Sequence, residues 1–374
     1  MDLRLIKENG VSGSSGLAAD ESMALRVGSE KSRPTLRLYT YDSYSALVGR
    51  FQNIQKELNL EYCLQNCVEF NRRPTGGGAI IMGADQLGVA LALKGNKTDT
   101  YHRARVLMKQ FSEGTVKTLS KFGIEASFRG KNDIEVDGRK IAGLGLHKTR
   151  TGGLLFHASI LVNLDVELML NVLRTPLKRI TDKAVKLVSG RITTVRKLLS
   201  NDITVDEFSA ELEKGFSKVF GVNLIKGDWS SEEIGESNKL EAEKYLTEKW
   251  VYSKSNIKEM NGRAVRKTEG GLLEVSVNLA GNTLKKVQIG GDIYVSENAL
   301  ADLEFSLAWH SAASDKIKET LKRVYKKREN EFSRISFDDL YNGVQDAVKD
   351  ASNNRTDIET MPYGCFVKTD GSYA

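Results

Sequence analysis

The sequence predicts a protein of mixed α/β structure (α+β) with two domains. Three observations lead to this fold class. Its 374 residues exceed the size of one small module. Its composition, 40% hydrophobic and 28% charged, is that of a globular chain with a substantial core, which excludes wholesale disorder. Segments of helical and of strand periodicity follow one another, and a polar, turn-rich stretch at 226–240 separates two such sets.

Apolar periodicity and turn residues place the N-terminal elements. They predict a flexible lead-in at 10–16 and helices at 17–27, 53–67, 100–122 and 203–219, with a short helix from Asp165. The predicted strands are Leu36–Tyr41, Val68–Asn71, 79–93 and Leu154–Asn163. Ile134–Val136 and Arg139–Ala142 are predicted to form a hairpin. The Asp137-Gly138 pair is the turn signal of that hairpin. Residues 176–200 are basic and show no single period.

A second set of elements follows the polar stretch. A hairpin around Gly281-Asn282 and three helices predict a small α+β domain. The predicted elements are strands at Leu272–Leu279 and Leu284–Ile289 and helices at 296–308, 312–329 and 336–350. The resulting division is a first domain at 1–228, a linker at 229–248, a second domain at 249–350 and a loosely held tail at 351–374.

Charge and cysteine content exclude several classes of protein. The net charge of +6 comes from 55 basic and 49 acidic residues of mixed order, so nucleic acid is not the expected main partner. No apolar run approaches the roughly 18 residues of a membrane span, and the N-terminus carries no secretory signal. Three cysteines, Cys63, Cys67 and Cys365, cannot form a disulfide framework. These features predict a cytoplasmic protein that acts without a membrane.

The stretch Arg72–Ile80 (RRPTGGGAI) carries the strongest chemical signal. Three successive glycines favour close backbone approach, and their amides can form a nest for an anion or carboxylate. The two arginines beside them suit phosphate or carboxylate. The structural alternative is a flexible hairpin loop with surface arginines. No GxxxxGK[ST] motif occurs, and Gly143-Leu144-Gly145 lacks the third glycine of a dinucleotide fingerprint.

A second group of candidate residues surrounds the predicted hairpin. Lys140 follows the Asp137-Gly138 turn on a strand, where its ammonium can neutralise charge that develops on a carboxyl or phosphoryl group. Asn132-Asp133 lies just upstream and can bind a metal ion or a ribose. A solvated strand lysine and a surface Asn-Asp turn are the structural alternatives.

These motifs together resemble the lipoate–protein ligase A family, which belongs to the biotin and lipoate attachment superfamily. The resemblance covers most of the chain and keeps the family's order and spacing. It rests on Leu17–Glu21, Gly49–Asn53, Arg72–Ala79, Asn132-Asp133, Lys140–Gly143, His157 with Asn163, and in the second domain Gly270-Gly271 and Gly290–Asp292.

The resemblance implies a fold, a reaction and partners. The expected catalytic domain is like those of class II aminoacyl-tRNA synthetases and biotin ligases, with a mixed sheet and flanking helices, followed by a small α+β accessory domain. The expected reaction converts lipoate and ATP into lipoyl-AMP and transfers the lipoyl group to a lysine of a carrier protein. Candidate carriers are the glycine-cleavage H protein, a 2-oxoacid dehydrogenase E2 subunit or an H-like lipoyl carrier of sulfur oxidation.

The resemblance also implies residue roles. The expected catalytic residue is Lys140. The residues expected to bind lipoate are Arg72, Thr75, Gly76, Gly77, Gly78, Ala79, His147 and His157. Those expected to bind ATP are Arg73, Gly78, Ile81, Asn132, Asp133, Lys140 and Gly145, with Asp133 as a ligand of Mg²⁺. The expected cofactors are therefore ATP and Mg²⁺, with lipoate as the acid substrate.

The chain departs from the family pattern at two places, which keeps alternatives open. Val-x-His-Asp usually follows the glycine loop, whereas Ile80–Gly83 stands here; Leu144–His147 replaces the usual Gly-Ser-Ala and Arg. The alternatives are a transferase that uses a preformed acyl donor and a non-catalytic paralogue that binds lipoyl carriers. Cysteine-dependent transferases place their nucleophile where this chain has Ser127-Phe128 or Thr175-Pro176.

The two N-terminal cysteines, two of the histidines and a basic run are interpreted mainly as structural or surface features. Cys63 and Cys67 are spaced as one half-buried helix face, and His102 and His310 as structural or surface residues. The basic run Lys322–Arg328 is a solvated helix face or, alternatively, a docking surface for an acidic carrier.

Overall fold

The computed structural model describes residues 2–95, 100–174, 190–199, 202–255 and 259–354. Most of the basic stretch 176–200, the Thr175-Pro176 position, Cys365 and nearly all of the tail 351–374 lie outside the described residues. The described chain is a mixed α/β structure with a large mixed sheet and flanking helices, as the sequence predicted.

Strands and helices alternate along both parts of the chain. The strands are β1 (Asp2–Val11), β2 (Thr35–Tyr41), β3 (Ser45–Val48), β4 (Glu69–Arg72), β5 (Ile80–Met82), β6 (Gln86–Lys94), β7 (Ser127–Arg129), β8 (Asp133–Val136), β9 (Arg139–Lys148), β10 (Gly153–Leu161), β11 (Asn223–Lys226), β12 (Gly262–Thr268), β13 (Gly271–Ala280), β14 (Thr283–Gly291) and β15 (His310–Ser311). The helices are α1 (Gly13–Gly28), α2 (Ile54–Glu57), α3 (Leu60–Gln65), α4 (Ala104–Lys121), α5 (Val166–Val172), α6 (Val195–Leu198), α7 (Val205–Phe220), α8 (Ser231–Leu240), α9 (Glu248–Val251), α10 (Glu297–Leu307), α11 (Ser314–Arg328) and α12 (Phe337–Asn353).

Eight strands form the large sheet in the order β11-β1-β2-β6-β10-β9-β8-β7. β1 pairs in parallel with both β2 and β11, and the other neighbouring pairs are antiparallel. The centre of the sheet is the run β2-β6-β10-β9, in which His157 lies opposite Ala90 on one side and Gly145 on the other. Side chains directly opposite share a face, so this row sets the geometry of the site described below.

Helices cover both faces of the large sheet. α4 and α7 pack on one face through an aromatic cluster, with the rings of Phe111 and Phe156 stacked at 5.1 Å and Phe216 edge-on to Phe111 at 5.6 Å. α1 lies against the other face and buries Leu17, Met23 and other side chains on it. Burial on this scale dominates the stability of the N-terminal part.

A three-stranded sheet in the order β4-β3-β5 lies beside α1. β3 pairs in parallel with β4 and antiparallel with β5, so the loop that connects β4 to β5 leaves and re-enters the same small sheet. This loop is the Arg72–Ala79 motif. The strand pairs fix both of its ends.

Two local predictions in the N-terminal part were wrong. Residues 10–16 are the end of β1 and the first turn of α1, which Ser12 caps by accepting from the Ser15 amide at 3.2 Å. The helix predicted at 53–67 is two short helices, α2 and α3, each with its own asparagine cap.

The segment predicted as a linker contains ordered helical structure. α8 begins at a capping box formed by Ser230 and Glu233, and it packs against α1. Glu233 is buried and pairs with Arg4 at 2.7 Å, while Arg26 pairs with Glu232 at 3.1 Å. The polar residues of this segment therefore face cationic partners on the N-terminal part. The domain boundaries themselves remain a prediction.

The C-terminal part has the predicted α+β arrangement. Its antiparallel sheet, in the order β12-β13-β14-β15, packs against α10, α11 and α12 around a core that includes Val275, Leu303 and Val344. Two aromatic residues join it to the N-terminal part. Phe51 packs in the C-terminal core, and Tyr294 packs in the core of the large sheet.

Candidate active site

A cavity of about 180 Å³ lies between the large sheet, α1, the β4–β5 loop and the C-terminal segment around Asp292. Its lining divides into an apolar, aromatic half and a charged half. The first half is lined by Leu17, Tyr39, Tyr41, Leu47, Ile80, Met82 and His157, and the second by Lys131, Asn132, Asp133, Lys140 and Asp292. An amphipathic ligand with an apolar tail and an anionic head matches this division.

Glycines on the central strands make room for the cavity. A Cβ at Gly145 would lie 2.8 Å from Thr75 Oγ1, and one at Gly143 would lie 3.0 Å from Lys140 Nζ. On β6, a Cβ at Gly88 would lie 2.7 Å from the ring of Tyr39. Because these distances are shorter than ordinary contacts, a side chain at any of the three positions would displace its neighbour. At Gly143 and Gly145, which line the cavity, the floor is therefore backbone against which Lys140 and Thr75 pack closely.

Lys140 and Asp133 form an ion pair at the charged end, with Nζ and Oδ1 2.8 Å apart. The two residues lie on the paired strands β8 and β9, whose register shifts between Ile134 and Glu135. Both side chains are about one-third exposed, so the ammonium is held at a defined position and remains accessible to a ligand.

Asn132 closes the inner edge of this charged end. Its Nδ2 donates to the Leu144 carbonyl at 2.8 Å, and the same carbonyl accepts from Tyr294 Oη at 2.8 Å. The amide thereby links β8 to β9 and to the C-terminal part. Its position in the cavity lining agrees with the predicted Asn132-Asp133 pair.

The two arginines of the glycine loop act on the backbone. Arg72 is fully buried and donates to five carbonyls, those of Gly49, Arg50, Gln52, Trp250 and Val251. It does not line the cavity, in contrast to its predicted lipoate contact.

Arg73 does line the cavity, but its guanidinium is directed at the loop itself. It donates to Thr75 Oγ1 at 3.1 Å and to the carbonyls of Leu47, Gly76 and Gly78 at 2.9, 2.9 and 2.6 Å. These bonds fix the shape of the loop. In this structure they pair the guanidinium with the carbonyls of the loop and of Leu47 on β3.

The glycine loop contributes to the cavity in part. Thr75, Gly78 and Ala79 line it, whereas Gly76 and Gly77 lie against Ile293 and Tyr294 of the C-terminal part. Ile81 is buried on β5 and is not among the lining residues.

A buried charged network supports the aromatic half of the cavity. Asp20 on α1 is fully buried and contacts His157 Nε2 at 2.7 Å, Tyr39 Oη at 2.8 Å and Arg37 Nη1 at 2.8 Å. Burial would raise the pKa of Asp20, but the charges of Arg37 and His157 hold it below its ordinary value. The carboxylate therefore stays ionised and fixes the orientation of the His157 ring.

His147, the other predicted histidine, lies farther along β9 in a second cavity of about 700 Å³. It is buried, and burial lowers its pKa. Among the predicted residues, the first cavity thus brings together Arg73, Thr75, Gly78, Ala79, Asn132, Asp133, Lys140, Gly145 and His157. It does not bring in Arg72, Gly76, Gly77, Ile81 or His147.

Sequence reasoning missed several lining residues. Tyr39 and Tyr41 were placed on a strand without a role, and Lys131 precedes the Asn132-Asp133 pair unremarked. Asp292 and its glycine pair were recognised only as part of an accessory domain. The weak available signals were the alternation of aromatic residues along β2 and the position of Lys131 beside a site motif.

The charged end fits Mg²⁺ only as an ion that bridges a carboxylate and phosphate oxygens. Asp133 offers a carboxylate within the cavity lining, but in the described ranges no group of three or more His, Cys, Asp or Glu side chains could hold a metal ion. Magnesium commonly binds through one or two carboxylates and substrate phosphates.

Cysteine does not contribute to the cavity within the part of the chain that the structure describes. Cys63 is buried on α3, Cys67 is exposed beyond the end of that helix, and neither is among the lining residues. Ser127, one of the two positions where related transferases carry cysteine, is exposed on β7.

Among the described helices, none has the length and apolar character needed to cross a bilayer.

The fold and the cavity agree with the comparison to known families. The family described as "Lipoyl protein ligase A/B catalytic domain" matches residues 13–217. This match covers more than half of the chain and includes α1, the glycine loop and Lys140. The chain belongs to this family.

Similar proteins include both transferases and ligases. Octanoyltransferase LipM of Kyrpidia tusciae is 29% identical over 279 residues, which span 67% of this chain and 98% of the relative. A bipartite lipoate protein ligase of Thermoplasma acidophilum, described with its E2 lipoyl domain, is 26% identical with a TM-score of 0.61, covering 68% of this chain and 96% of that one. A lipoate-protein ligase A bound with ATP is 26% identical with a TM-score of 0.59, covering 68% and 100%.

Proposed function

We propose that this protein is an ATP-dependent lipoate–protein ligase, which activates lipoate as lipoyl-AMP and transfers the lipoyl group to a lysine ε-amine of a carrier protein. The observation that carries the proposal is the divided cavity. Its aromatic half suits an eight-carbon acyl chain, and its charged half contains Lys140, an ammonium suited to a carboxyl–phosphate junction.

In the first step, a carboxylate oxygen of lipoate attacks the α-phosphorus of ATP and pyrophosphate leaves. Lys140 neutralises negative charge at the new carboxyl–phosphate junction, and Asn132 and Asp133 border the nucleotide. The floor at Gly143 and Gly145 lets the acyl chain lie against the sheet. Stabilisation of charge by a fixed cation accounts for a large part of the rate enhancement in such reactions.

In the second step, the ε-amine of the carrier lysine attacks the activated carbonyl, the bond to phosphate breaks and AMP leaves with the electron pair. The same ammonium of Lys140 stabilises charge on the departing phosphate. Asp133 would help to hold Mg²⁺, which would supply further neutralisation of charge.

The comparisons support the ligase and keep a transferase as the second candidate. Two similar structures are described as ligases, one of them with ATP. Among the curated relatives, several are octanoyltransferases and several are lipoate-protein ligases. A cysteine-dependent transferase requires a thiolate near the lysine strand. Since the described lining of the cavity contains no cysteine, we favour the ligase.

The carrier is proposed to be a lipoyl domain, of the H-protein, E2 or sulfur-oxidation type. The T. acidophilum ligase, which is described together with an E2 lipoyl domain, supports this class of partner. We further infer a cytoplasmic location from the small number of cysteines, and a two-domain division with the accessory domain beginning near residue 249.

The test is lipoate-dependent exchange between ATP and pyrophosphate on the purified full chain, with octanoate and biotin as alternative acids. The proposal expects exchange with lipoate and none with biotin. Carrier lipoylation from preformed octanoyl or lipoyl carrier, without exchange, would instead identify a transferase. A folded protein that neither exchanges nor transfers acyl groups would contradict both candidates.

A further inference from the structure

Three glycine-containing segments meet where the C-terminal part contacts the N-terminal part, and we call this contact the seam. The segments are Gly49–Gln52, Thr75–Gly78 and Gly290–Tyr294. The amide of Gly291 donates to the Phe51 carbonyl at 2.9 Å. Side chains at Gly76 or Gly290 would overlap the carbonyls of Ile293 and Phe51 respectively. The seam is thus a close contact between backbones.

The seam places Asp292 at the charged end of the cavity. Gly291 adopts a φ of +116°, which a residue with a Cβ rarely tolerates. The turn at Gly291 directs Asp292 toward Lys131: its Oδ2 lies 2.8 Å from Lys131 Nζ, and its carbonyl accepts from the same ammonium at 2.7 Å. Asp292 Oδ1 accepts from the Leu272 amide, which holds the carboxylate in place.

The cationic side chains that line the cavity differ in the groups with which they pair. Arg73 is bound to the carbonyls of its own loop, and Lys140 pairs with Asp133 from the adjacent strand. Lys131 is paired with a carboxylate from the C-terminal part of the chain, 161 residues away. Lys131 and Asp292 are both about one-quarter exposed, so an anion entering the cavity can reach the pair.

We propose that Lys131 is a phosphate-binding residue of this site and that Asp292 is its internal competitor, so that the nucleotide must displace Asp292 to bind. The proposal rests on the proposed function, since it concerns the same cavity. A polyphosphate offers more charge and more acceptor oxygens to the ammonium than one carboxylate does. The intramolecular carboxylate, however, is present at a high effective concentration and lowers the apparent affinity for the nucleotide.

The experiment measures binding of ATP, and separately of inorganic pyrophosphate, to the full chain by titration calorimetry. Asp292→Asn keeps an oxygen that can accept from the Leu272 amide but removes the competing charge, so we expect it to bind ATP about 2- to 5-fold more tightly. Lys131→Met should bind ATP about tenfold more weakly. Combining Asp292→Asn with Lys131→Met should abolish the tightening, because the two changes act on one interaction.

A second ion pair of the seam provides the matched control. Arg50 pairs with Glu297 at 2.5 Å, and neither residue lines the first cavity. Glu297→Gln should therefore leave ATP affinity unchanged. Thermal melting of each variant verifies its fold.

The outcomes separate this inference from the proposed function. Unchanged or weaker ATP binding by folded Asp292→Asn, with normal binding by the unaltered chain, overturns the competition alone. Equal tightening by Glu297→Gln would assign the effect to general loosening of the seam and would also overturn it. Absence of ATP binding by the unaltered chain contradicts the proposed ligase and the inference together.

Discussion

At the scale of single residues, Lys140 is the side chain on which the proposed chemistry depends most directly. Its ammonium faces the cavity and is fixed by Asp133 at 2.8 Å. We expect Lys140→Ala to reduce lipoate-dependent ATP–pyrophosphate exchange by at least 10²-fold, because the junction between carboxyl and phosphate would lose its fixed cation. Thermal stability should change little, since a partly exposed ion pair contributes about 0–1 kcal/mol.

Lys121 offers a matched control for this substitution. It is exposed to almost the same extent as Lys140, 34% against 33%, and pairs with Glu211 at 3.0 Å away from the cavity. Lys121→Ala should retain exchange at the level of the unaltered chain. Normal exchange by folded Lys140→Ala would contradict the assigned role.

The two arginines of the glycine loop show how much of the site can be predicted from single residues in the sequence. The sequence located the motif and its anion-binding character, but it could not show which donors remain available. The partners of Arg72 include the carbonyls of Trp250 and Val251, nearly 180 residues away. Hydrogen bonds to such distant segments depend on the tertiary structure, and no local sequence pattern predicts them.

At the scale of elements, β9 combines the catalytic candidate with the cavity floor. Gly145 lies two residues from Gly143, so both face the cavity. We expect Gly145→Ala to weaken lipoate binding at least tenfold, because its Cβ would lie 2.8 Å from the buried Thr75 hydroxyl. Calorimetric titration with lipoate, which does not require ATP, measures this effect.

The control for this prediction is a glycine with open space around it. A Cβ at Gly235 on α8 would meet no atom within 4 Å. Gly235→Ala should leave lipoate affinity unchanged and stabilise the helix by about 0.5–1 kcal/mol. Unaltered lipoate binding by Gly145→Ala would mean that the acyl chain does not lie on this floor.

Elements with strong local signals were predicted well, and those defined by distant partners were not. The β8–β9 hairpin has an Asp137-Gly138 turn, and both residues have positive φ as this turn requires. β1, by contrast, was missed. It is held by parallel pairing to β2 and β11, and its register with β11 joins Asp2 to Asn223.

α8 illustrates a local helix signal inside the segment predicted as a linker. Ser230 and Glu233 have the spacing of a capping box, yet the polar composition around them suggested a linker. The helix is stable in this position because its acidic residues pair with Arg4 and Arg26 of the N-terminal part. A polar helix can therefore belong to a domain when its partners are charged.

At the scale of the whole molecule, the seam connects two hydrophobic cores through exchanged aromatic residues. Phe51 enters the C-terminal core and Tyr294 enters the core of the large sheet. Sequence analysis identified the glycine motifs on both sides but not their meeting, because the contacts of Phe51 with Gly291 and of Gly76 with Ile293 join residues more than 200 positions apart in the chain. Acidic side chains of both parts lie near this contact, which makes its stability depend on pH.

Glu57, at the end of α2 beside the seam, is the residue through which this dependence should be strongest. Burial, followed by the charges of Glu274 and Asp292 on the C-terminal part, raises its pKa from 4.5 to about 7, against the opposing effects of Lys56 and Gln52. The folded chain therefore retains a proton that the unfolded chain releases. Its favourable contribution is complete below about pH 4.5 and is lost as the pH rises through about 7.

Glu57→Gln keeps the shape of the side chain and removes this ionisation. We expect the variant to exceed the unaltered chain in stability by on the order of 1–2 kcal/mol at pH 8, about 2–4 °C in melting temperature, with a much smaller difference at pH 5. Calorimetric melting of both chains at the two pH values gives this difference in stability. Contributions from ionisable groups that both chains share cancel in the difference. Glu61→Gln, at an exposed position on α3, should show no such pH-dependent gain. A Glu57→Gln difference of equal size at pH 5 and pH 8 would show that ionisation of this carboxyl does not govern the seam.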